Sequence, residues 1–307
     1  MHTTGMIGRD QHLDFKSGFV AIVGAPNAGK STLLNRMLGQ KISITSKRAQ
    51  TTRNRIVGIL DHPKAQMVFL DTPGIHRTGR KPLNKRIVDV ALAALADVDL
   101  ILAMGDASAP NTDAEQYLVE KLASRKTPAV LALNKIDRID KMQLLSRIDH
   151  WSRRHQFSAV VPISALQGTQ VGALIQAMEA VLPNGPPLYP QGSLTDMPER
   201  FIAGEMIREK AFRLTGEEVP YSIAVTVEEF KEEKQGRLIR IHATIHVERD
   251  SHKGMVIGKG GRKLKAIGLA ARREIERMVG VQVYLKLFVR VQKNWSTDTK
   301  ALERFGY

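Results

Sequence analysis

Residues 19–32 read FVAIVGAPNAGKST: an apolar run of strand length passes directly into Gly-x-x-x-x-Gly-Lys-Ser and then into residues with helical spacing. This order leaves few folds open. A glycine loop of this kind works only at the junction of a buried strand and a helix N-terminus, where the amides of Gly29, Lys30 and Ser31 converge on phosphate oxygens. Lys30 is expected to reach the outer phosphates, and the Ser31 hydroxyl to ligate Mg²⁺. The whole stretch Gly24, Ala25, Pro26, Asn27, Ala28, Gly29, Lys30, Ser31 and Thr32 is therefore a candidate nucleotide cradle.

Further apolar runs of strand length occur at residues 56–60, 67–70, 98–104, 129–133 and 159–163. Helically spaced segments such as 81–96 and 113–124 lie between them. Nearly continuous apolar strands need cover on both faces, so the expected fold is an α/β domain with a mostly parallel sheet and helices on both faces. Residues 183–198, PNGPPLYPQGSLTDMP, hold five prolines and two glycines and read as a stiff linker. The expected division is an N-terminal tail over 1–16, a nucleotide-binding domain over 17–183, a linker over 184–198 and a second domain over 199–307.

The first domain carries three more motifs at strand ends. VFLDTPGIH places Asp71 to hold Mg²⁺ through water, with Thr72, Pro73 and Gly74 after it and the Gly74 amide facing a γ-phosphate. LALNKID supplies Asn134, Lys135 and Asp137. One carboxylate can accept from both N1–H and the 2-amino group of guanine, whereas adenine lacks that amino group, so Asp137 selects guanine. PISA follows the next strand, and Ser164 and Ala165 are expected to offer backbone amides to guanine O6. Between the first two motifs, Gln50, Thr51, Thr52, Arg53 and Asn54 form a candidate switch in which one of the two threonines ligates Mg²⁺ when the γ-phosphate is present. Spacing alone does not choose between Thr51 and Thr52. Ile75 stands where small GTPases place a water-orienting glutamine, so GTP hydrolysis to GDP is expected to be slow. No Ser/His/Asp or paired-carboxylate constellation competes for catalysis.

The second domain has a helical segment over 199–214 and two alternating strands over 237–249 and 281–293, an α+β unit. Between those strands lies MVIGKGGRKLKAIG. It lacks the spacing and the hydroxyl of a nucleotide loop. A short glycine turn between two helices instead lets a nucleic-acid backbone come close, with Gly258, Lys259, Gly260 and Gly261 in the turn and Arg262, Lys263 and Lys265 after it. Charge distribution agrees. The chain has 46 Lys and Arg against 31 Asp and Glu, net +15, and residues 253–293 alone carry 11 basic and 2 acidic residues. A polyanionic partner is expected. His242 and His246 share a strand face four residues apart, too far for one metal ion, and are expected to be solvated. The chain has no cysteine, no signal-peptide-like start and no apolar run of membrane-spanning length, which fits a cytoplasmic protein.

Taken in order, GAPNAGKS, QTTR, DTPGI, NKID, the proline-rich stretch, LTDMPERFIAGEMIREKAF and VIGKGG resemble the Era family of bacterial ribosome-assembly GTPases over residues 17–293. The resemblance implies an α/β P-loop GTPase domain followed by a type II KH domain. It also implies binding of 16S rRNA near its 3′ end during maturation of the small (30S) ribosomal subunit, a monomer, and peripheral contact with the inner membrane. Relatives of this class that lack the catalytic glutamine use an asparagine at the position of Asn27 to help bind K⁺, so the resemblance implies K⁺-stimulated hydrolysis, with Lys30, Asn27 and Gly74 assisting transition-state charge. One departure is AMGDAS, residues 103–108, read as lacking the aspartate that many relatives carry after the fourth strand.

Overall fold

The structure, a computed structural model, describes residues 14–45, 53, 55–74, 82–109, 112–215 and 223–306. It divides into two compact units. The first comprises Met1–Gly39, Arg55–Arg77 and Ala91–Asp196; the second comprises Gln40–Asn54, Thr78–Val90 and Met197–Tyr307.

The first unit is built on a six-stranded sheet. Its strands are β1 (Lys16–Gly24), β2 (Ile56–His62), β3 (Ala65–Asp71), β4 (Leu100–Asp106), β5 (Ala129–Asn134) and β6 (Ala159–Pro162). They lie in the order β2-β3-β1-β4-β5-β6, all parallel except β2, which runs antiparallel to β3. Every residue of β3 and β5 is buried, as the unbroken apolar runs required. Because β1, β3, β4 and β5 run the same way, their carboxyl ends share one edge. That edge is where a doubly wound sheet holds its ligand. Helix α1 (Lys30–Leu38) starts there, with α3 (Thr112–Ala123), α4 (Lys141–Ser152) and α5 (Val171–Val181) completing the cover. Helix α4 is set by a capping box between Asp140 and Gln143.

The proline-rich stretch is not a free span between domains. Up to Asp196 it is strapped to the first unit. The Gly192 amide donates to Asp61 Oδ2 (2.7 Å), the Ile59 amide donates to the Leu194 carbonyl (2.9 Å), and the Thr195 hydroxyl donates to the Val57 carbonyl (2.6 Å). Gln66 Oε1 accepts from the amides of Leu188 and Tyr189. Prolines remove donors but leave carbonyls, and an open sheet edge needs partners of that kind.

The second unit has a three-stranded sheet, β7 (Ala224–Glu233), β8 (Leu238–Val247) and β9 (Gln282–Val291), with β7 antiparallel and β9 parallel to β8. Its helices include α6 (Glu199–Leu214), α7 (Asp250–Ile257), α8 (Arg262–Val279) and α9 (Thr299–Arg304). Ile239, Ile241, Ala243, Ile245 and Val247 are buried along β8, and Ile267, Ala271 and Ile275 are buried at i, i+4, i+8 spacing on α8. Strand β7 was not apparent in the sequence. Four glutamates and a bulge between Val227 and Glu229 break its alternation.

His246 is not solvated as the sequence suggested. It is buried, its Nε2 lies 2.8 Å from the Thr226 hydroxyl, and its ring packs on Phe305 beside α9. Burial holds its pKa down to about 4, with Arg290 and Arg304 adding to that effect and Glu228 opposing it. His242 is paired with Glu229 (2.8 Å).

Two segments that the sequence assigned to the first domain belong to the second unit. Lys41 is ion-paired with the fully buried Glu209 of α6 and with Glu274 of α8. Leu83 and Ile87, from α2 (Pro82–Ala93), pack with Ala224, Trp295, Ala301 and Leu302. Arg53 donates to the Ile223 carbonyl (2.8 Å), and its guanidinium lies 5.5 Å from the centre of the Trp295 ring.

Candidate functional site

The turn from β1 into α1 is shaped by backbone that side chains resist. Gly29 caps α1 with φ 104°. A Cβ there would sit 2.3 Å from Asn134 Nδ2, and one at Gly24 would sit 2.5 Å from the Met104 carbonyl oxygen. Only glycine fits either position. Asn27, at φ 65°, occupies the exposed tip of the loop, between the partly buried Pro26 and the buried Ala28. Ala25 is buried, and Thr32 is half-buried in the first turn of α1.

Lys30 is buried inside this turn. Its ammonium donates to the carbonyls of Gly24 (3.1 Å) and Ala25 (3.0 Å). Desolvation lowers its pKa to about 8, against the raising effect of Asp71. The Ser31 hydroxyl donates to Asp71 Oδ2 at 2.7 Å, both groups being buried. A hydroxyl and a carboxylate brought together at the foot of a phosphate loop are hard oxygen donors that fit Mg²⁺. Among the described residues no group of three or more His, Asp or Glu side chains is placed to hold a metal ion. Thr72 donates to the Ile22 carbonyl (2.7 Å) and so fastens the end of β3 to β1. After Pro73, a Cβ on Gly74 would come within 2.7 Å of Pro26, which places the Asp-x-x-Gly turn directly against the phosphate loop.

The pKa of Lys30 has a consequence for binding. Bound phosphates favour the charged lysine, so nucleotide uptake above pH 8 requires a proton. Affinity for GDP should fall about tenfold between pH 7 and pH 9. Titration of the protein with a fluorescent guanine nucleotide across that range measures it, and a flat affinity contradicts the assignment.

Asn134 closes β5 in a buried position. Its Nδ2 donates to the Ala28 carbonyl (2.8 Å), and its Oδ1 accepts from the Ala165 amide (2.9 Å). From the sequence, the Ser164 and Ala165 amides are expected to face a base. In the structure the Ala165 amide is held by Asn134 and the Ser164 amide by the Thr169 carbonyl (3.1 Å), because the 164–169 turn closes on itself. Lys135, at φ 69°, pairs with Asp106, and Asp137 follows in a 3₁₀ turn over Ile136–Arg138.

Two further residues shape the site. Asp106 is the last residue of β4, so the aspartate read as missing from AMGDAS is present; it accepts from Lys135 and from the Ser108 hydroxyl. Arg36 of α1 donates to the carbonyls of Ala165 and Leu166. An Asp-Ala-Ser turn after an apolar strand was a usable signal for the first, and nothing local marked the second.

Gln50, Thr51, Thr52, Asn54 and Ile75 lie outside the described residues.

In the second unit the glycine turn joins α7 to α8. Gly258, Gly260 and Gly261 have φ of 70°, 59° and 75°, and a Cβ on Gly258 would meet Lys263 at 2.8 Å. Lys259, Arg262 and Lys265 line the turn and the start of α8 and are exposed, with Lys263 half-buried. The Gly258 and Gly261 amides are held by the Gly254 and Gly258 carbonyls, but a Cβ at Gly260 or Gly261 would meet nothing within 4 Å. A glycine turn open to close approach and flanked by cations suits a phosphate backbone.

Residues 19–135 match the family described as 50S ribosome-binding GTPase, and residues 218–296 match the KH domain. The chain is 55% identical over 293 residues to GTPase Era of Geotalea uraniireducens, covering 95% of this chain and 98% of that protein. It is 53% identical to GTPase Era of Geobacter metallireducens over the same shares. Among solved structures it is similar to Era in complex with MgGDPNP and nucleotides 1506–1542 of 16S ribosomal RNA. That similarity has a TM-score of 0.91 at 41% identity, over 95% of this chain and 99% of that one. A single-residue variant of Aquifex aeolicus Era bound to GDP·AlF4⁻ is similar at a TM-score of 0.90, with the same identity and coverage. The fold, the paired motifs and these likenesses agree: the chain belongs to the Era family of GTPases.

Proposed function

We propose that this GTPase is a nucleotide-controlled RNA-binding factor of small-subunit assembly, holding 16S rRNA near its 3′ end while its GTP state sets how firmly it holds on. The observation that carries this reading is Arg53. It follows Thr51 and Thr52 directly in the chain, yet its side chain is built into the KH unit against Trp295 and the Ile223 carbonyl. A threonine drawn to Mg²⁺ and a γ-phosphate would pull on that anchor. A nucleotide signal therefore has a covalent path of one or two residues into the RNA-binding unit.

Within the site, Gly29, Lys30 and Ser31 would hold the phosphates, Ser31 and Asp71 would hold Mg²⁺, and Asp137 would read guanine. Mg²⁺ supplies positive charge to the β and γ phosphates. Lys30 adds a cation from a position where burial strengthens its field. The Asn134 clamp keeps the phosphate loop and the base loop at a fixed separation. Ala165 and Ser164 would contribute the shape of the base pocket, their amides being engaged within the protein. Gly258, Lys259, Gly260 and Gly261, with Arg262, Lys263 and Lys265, would take the RNA backbone. The Era relative solved with nucleotides 1506–1542 of 16S rRNA supports this choice of ligand. Ribosome assembly puts the work in the cytoplasm. Among the described residues no helix is long and apolar enough to cross a membrane.

Binding of a labelled single-stranded RNA from the 16S 3′ end should be about tenfold tighter with a non-hydrolysable GTP analogue than with GDP, at fixed salt. Equal affinities with the analogue, with GDP and without nucleotide would remove the coupling.

A further inference from the structure

Strand β9 turns Val283, Leu285, Leu287 and Val289 towards the helices. On the opposite face Tyr284, Lys286, Phe288 and Arg290 are all exposed, Tyr284 by 50% and Phe288 by 47%. Along the strand these two aromatics alternate with cations. Lys286 lies 5.2 Å from the Phe288 ring centre, and Arg240 of β8 lies 5.5 Å from that of Tyr284. Residues 282–293 contain Lys286, Arg290 and Lys293 and no acid. The acids of this face stand mainly on β7, where Glu229 and Glu233 are paired with His242 and Arg240. Among the described residues neither Lys286 nor Arg290 has an ion-pair partner. Beside Phe288 opens a cavity of about 720 Å³, lined among others by Thr244, Lys253 and Arg290, with Glu228 and Asp250 also on its wall.

We propose that this face of β9 is a second nucleic-acid contact, a stacking platform for single-stranded RNA, separate from the glycine turn. Three observations select that occupant. Aromatic faces interleaved with unpaired cations are the arrangement that takes bases and phosphates together without sequence preference. The rings stand about 13 Å apart along the strand, which spreads them over successive nucleotides rather than one apolar anchor. Strand β9 is also an outer strand of its sheet, and its other face packs on α8, the helix that opens at Gly261 and Arg262. A nucleic-acid strand leaving the glycine turn can pass over that edge and remain on protein. The inference rests on the RNA-binding reading above and adds to it a platform that no glycine-turn motif announces.

The test uses the full chain and two fluorescein-labelled single-stranded RNAs, one of about 6 nucleotides, enough for a glycine-turn clamp, and one of about 20. The variant Tyr284→Ala/Phe288→Ala should bind the longer RNA about tenfold more weakly, with an unchanged salt slope. Lys286→Ala/Arg290→Ala should lower the slope of log affinity against log salt by about 1.4. Both variants should bind the shorter RNA as the parent does, whereas Lys259→Ala/Lys263→Ala weakens both RNAs. All four sheet positions are exposed, so thermal unfolding and the fluorescence of the two buried tryptophans, Trp151 and Trp295, should match the parent. Unchanged affinity of both sheet variants for the longer RNA overturns the platform, and so does an equal loss on both RNAs. If those variants keep RNA affinity but lose self-association, the face belongs to a second copy of the chain and the platform is likewise overturned. A parent that binds neither RNA defeats the RNA-binding reading itself, and the platform with it.

Discussion

Replacing Asp137 by asparagine should weaken GTP binding by roughly 10²-fold and make xanthosine triphosphate the better ligand. In the proposed site the carboxylate would accept from both N1–H and the 2-amino group of guanine, and bonds to a charged acceptor contribute about 1.5–3 kcal/mol each. The asparagine oxygen still accepts from N1–H, but its amide then faces the 2-amino group donor to donor. Xanthine carries a carbonyl there, which the amide satisfies. Asp137 sits in a 3₁₀ turn shortly after Lys135, whose φ of 69° turns the chain out of β5. Competition of GTP and xanthosine triphosphate for a labelled guanine nucleotide, on the parent and the variant, measures both halves. Unchanged GTP affinity in the variant would discredit the assignment.

The second large effect is expected at Asn134→Ala, from a different cause. Asn134 need not touch the nucleotide to matter. It is buried, and its amide ties the Ala28 carbonyl of the phosphate loop to the Ala165 amide of the base loop. Alanine leaves both backbone groups without these partners in a buried setting, at about 1–3 kcal/mol each. The loops then lose their fixed separation, so affinities for GDP and GTP should fall together by about 10²- to 10³-fold, with guanine still preferred over adenine. Parallel titrations with guanine and adenine nucleotides distinguish the two variants: Asp137→Asn changes which base is chosen, and Asn134→Ala changes how tightly any chosen nucleotide is held. Loss of guanine preference in Asn134→Ala would mean that it reads the base directly.

The contrast between these two positions shows what was legible beforehand. The strand-loop-helix order at residues 19–32 dictated an α/β sheet, because the loop has no function without a strand before it and a helix after it. The strand runs that followed were nearly unbroken, so burial on both faces, and with it parallel pairing, could be read directly. Strand β7 could not be, since solvent-facing glutamates and a bulge erase the period of two that marks a strand. Asp106 stands at the end of β4, in plain view in the sequence. Its role depends on Lys135 being turned towards it by a left-handed backbone that no local pattern announces.

What the amino-acid order determined by itself was local: glycines where a Cβ would collide, a carboxylate with guanine's hydrogen-bond pattern, and cations gathered about a second glycine turn. What only the tertiary structure decided was which separate stretches share a core. Residues 40–54 and 78–90 follow nucleotide motifs in the chain, yet Lys41 finds its ion pairs, Arg53 its carbonyl and ring partners, and Leu83 and Ile87 their apolar neighbours in the KH unit. His246 likewise lost its solvent to Phe305, far onward in the chain. Periodicity and motif spacing report what a segment needs, a face buried or a charge satisfied. They do not report which distant segment supplies it, because that is settled by packing between surfaces far apart in the chain.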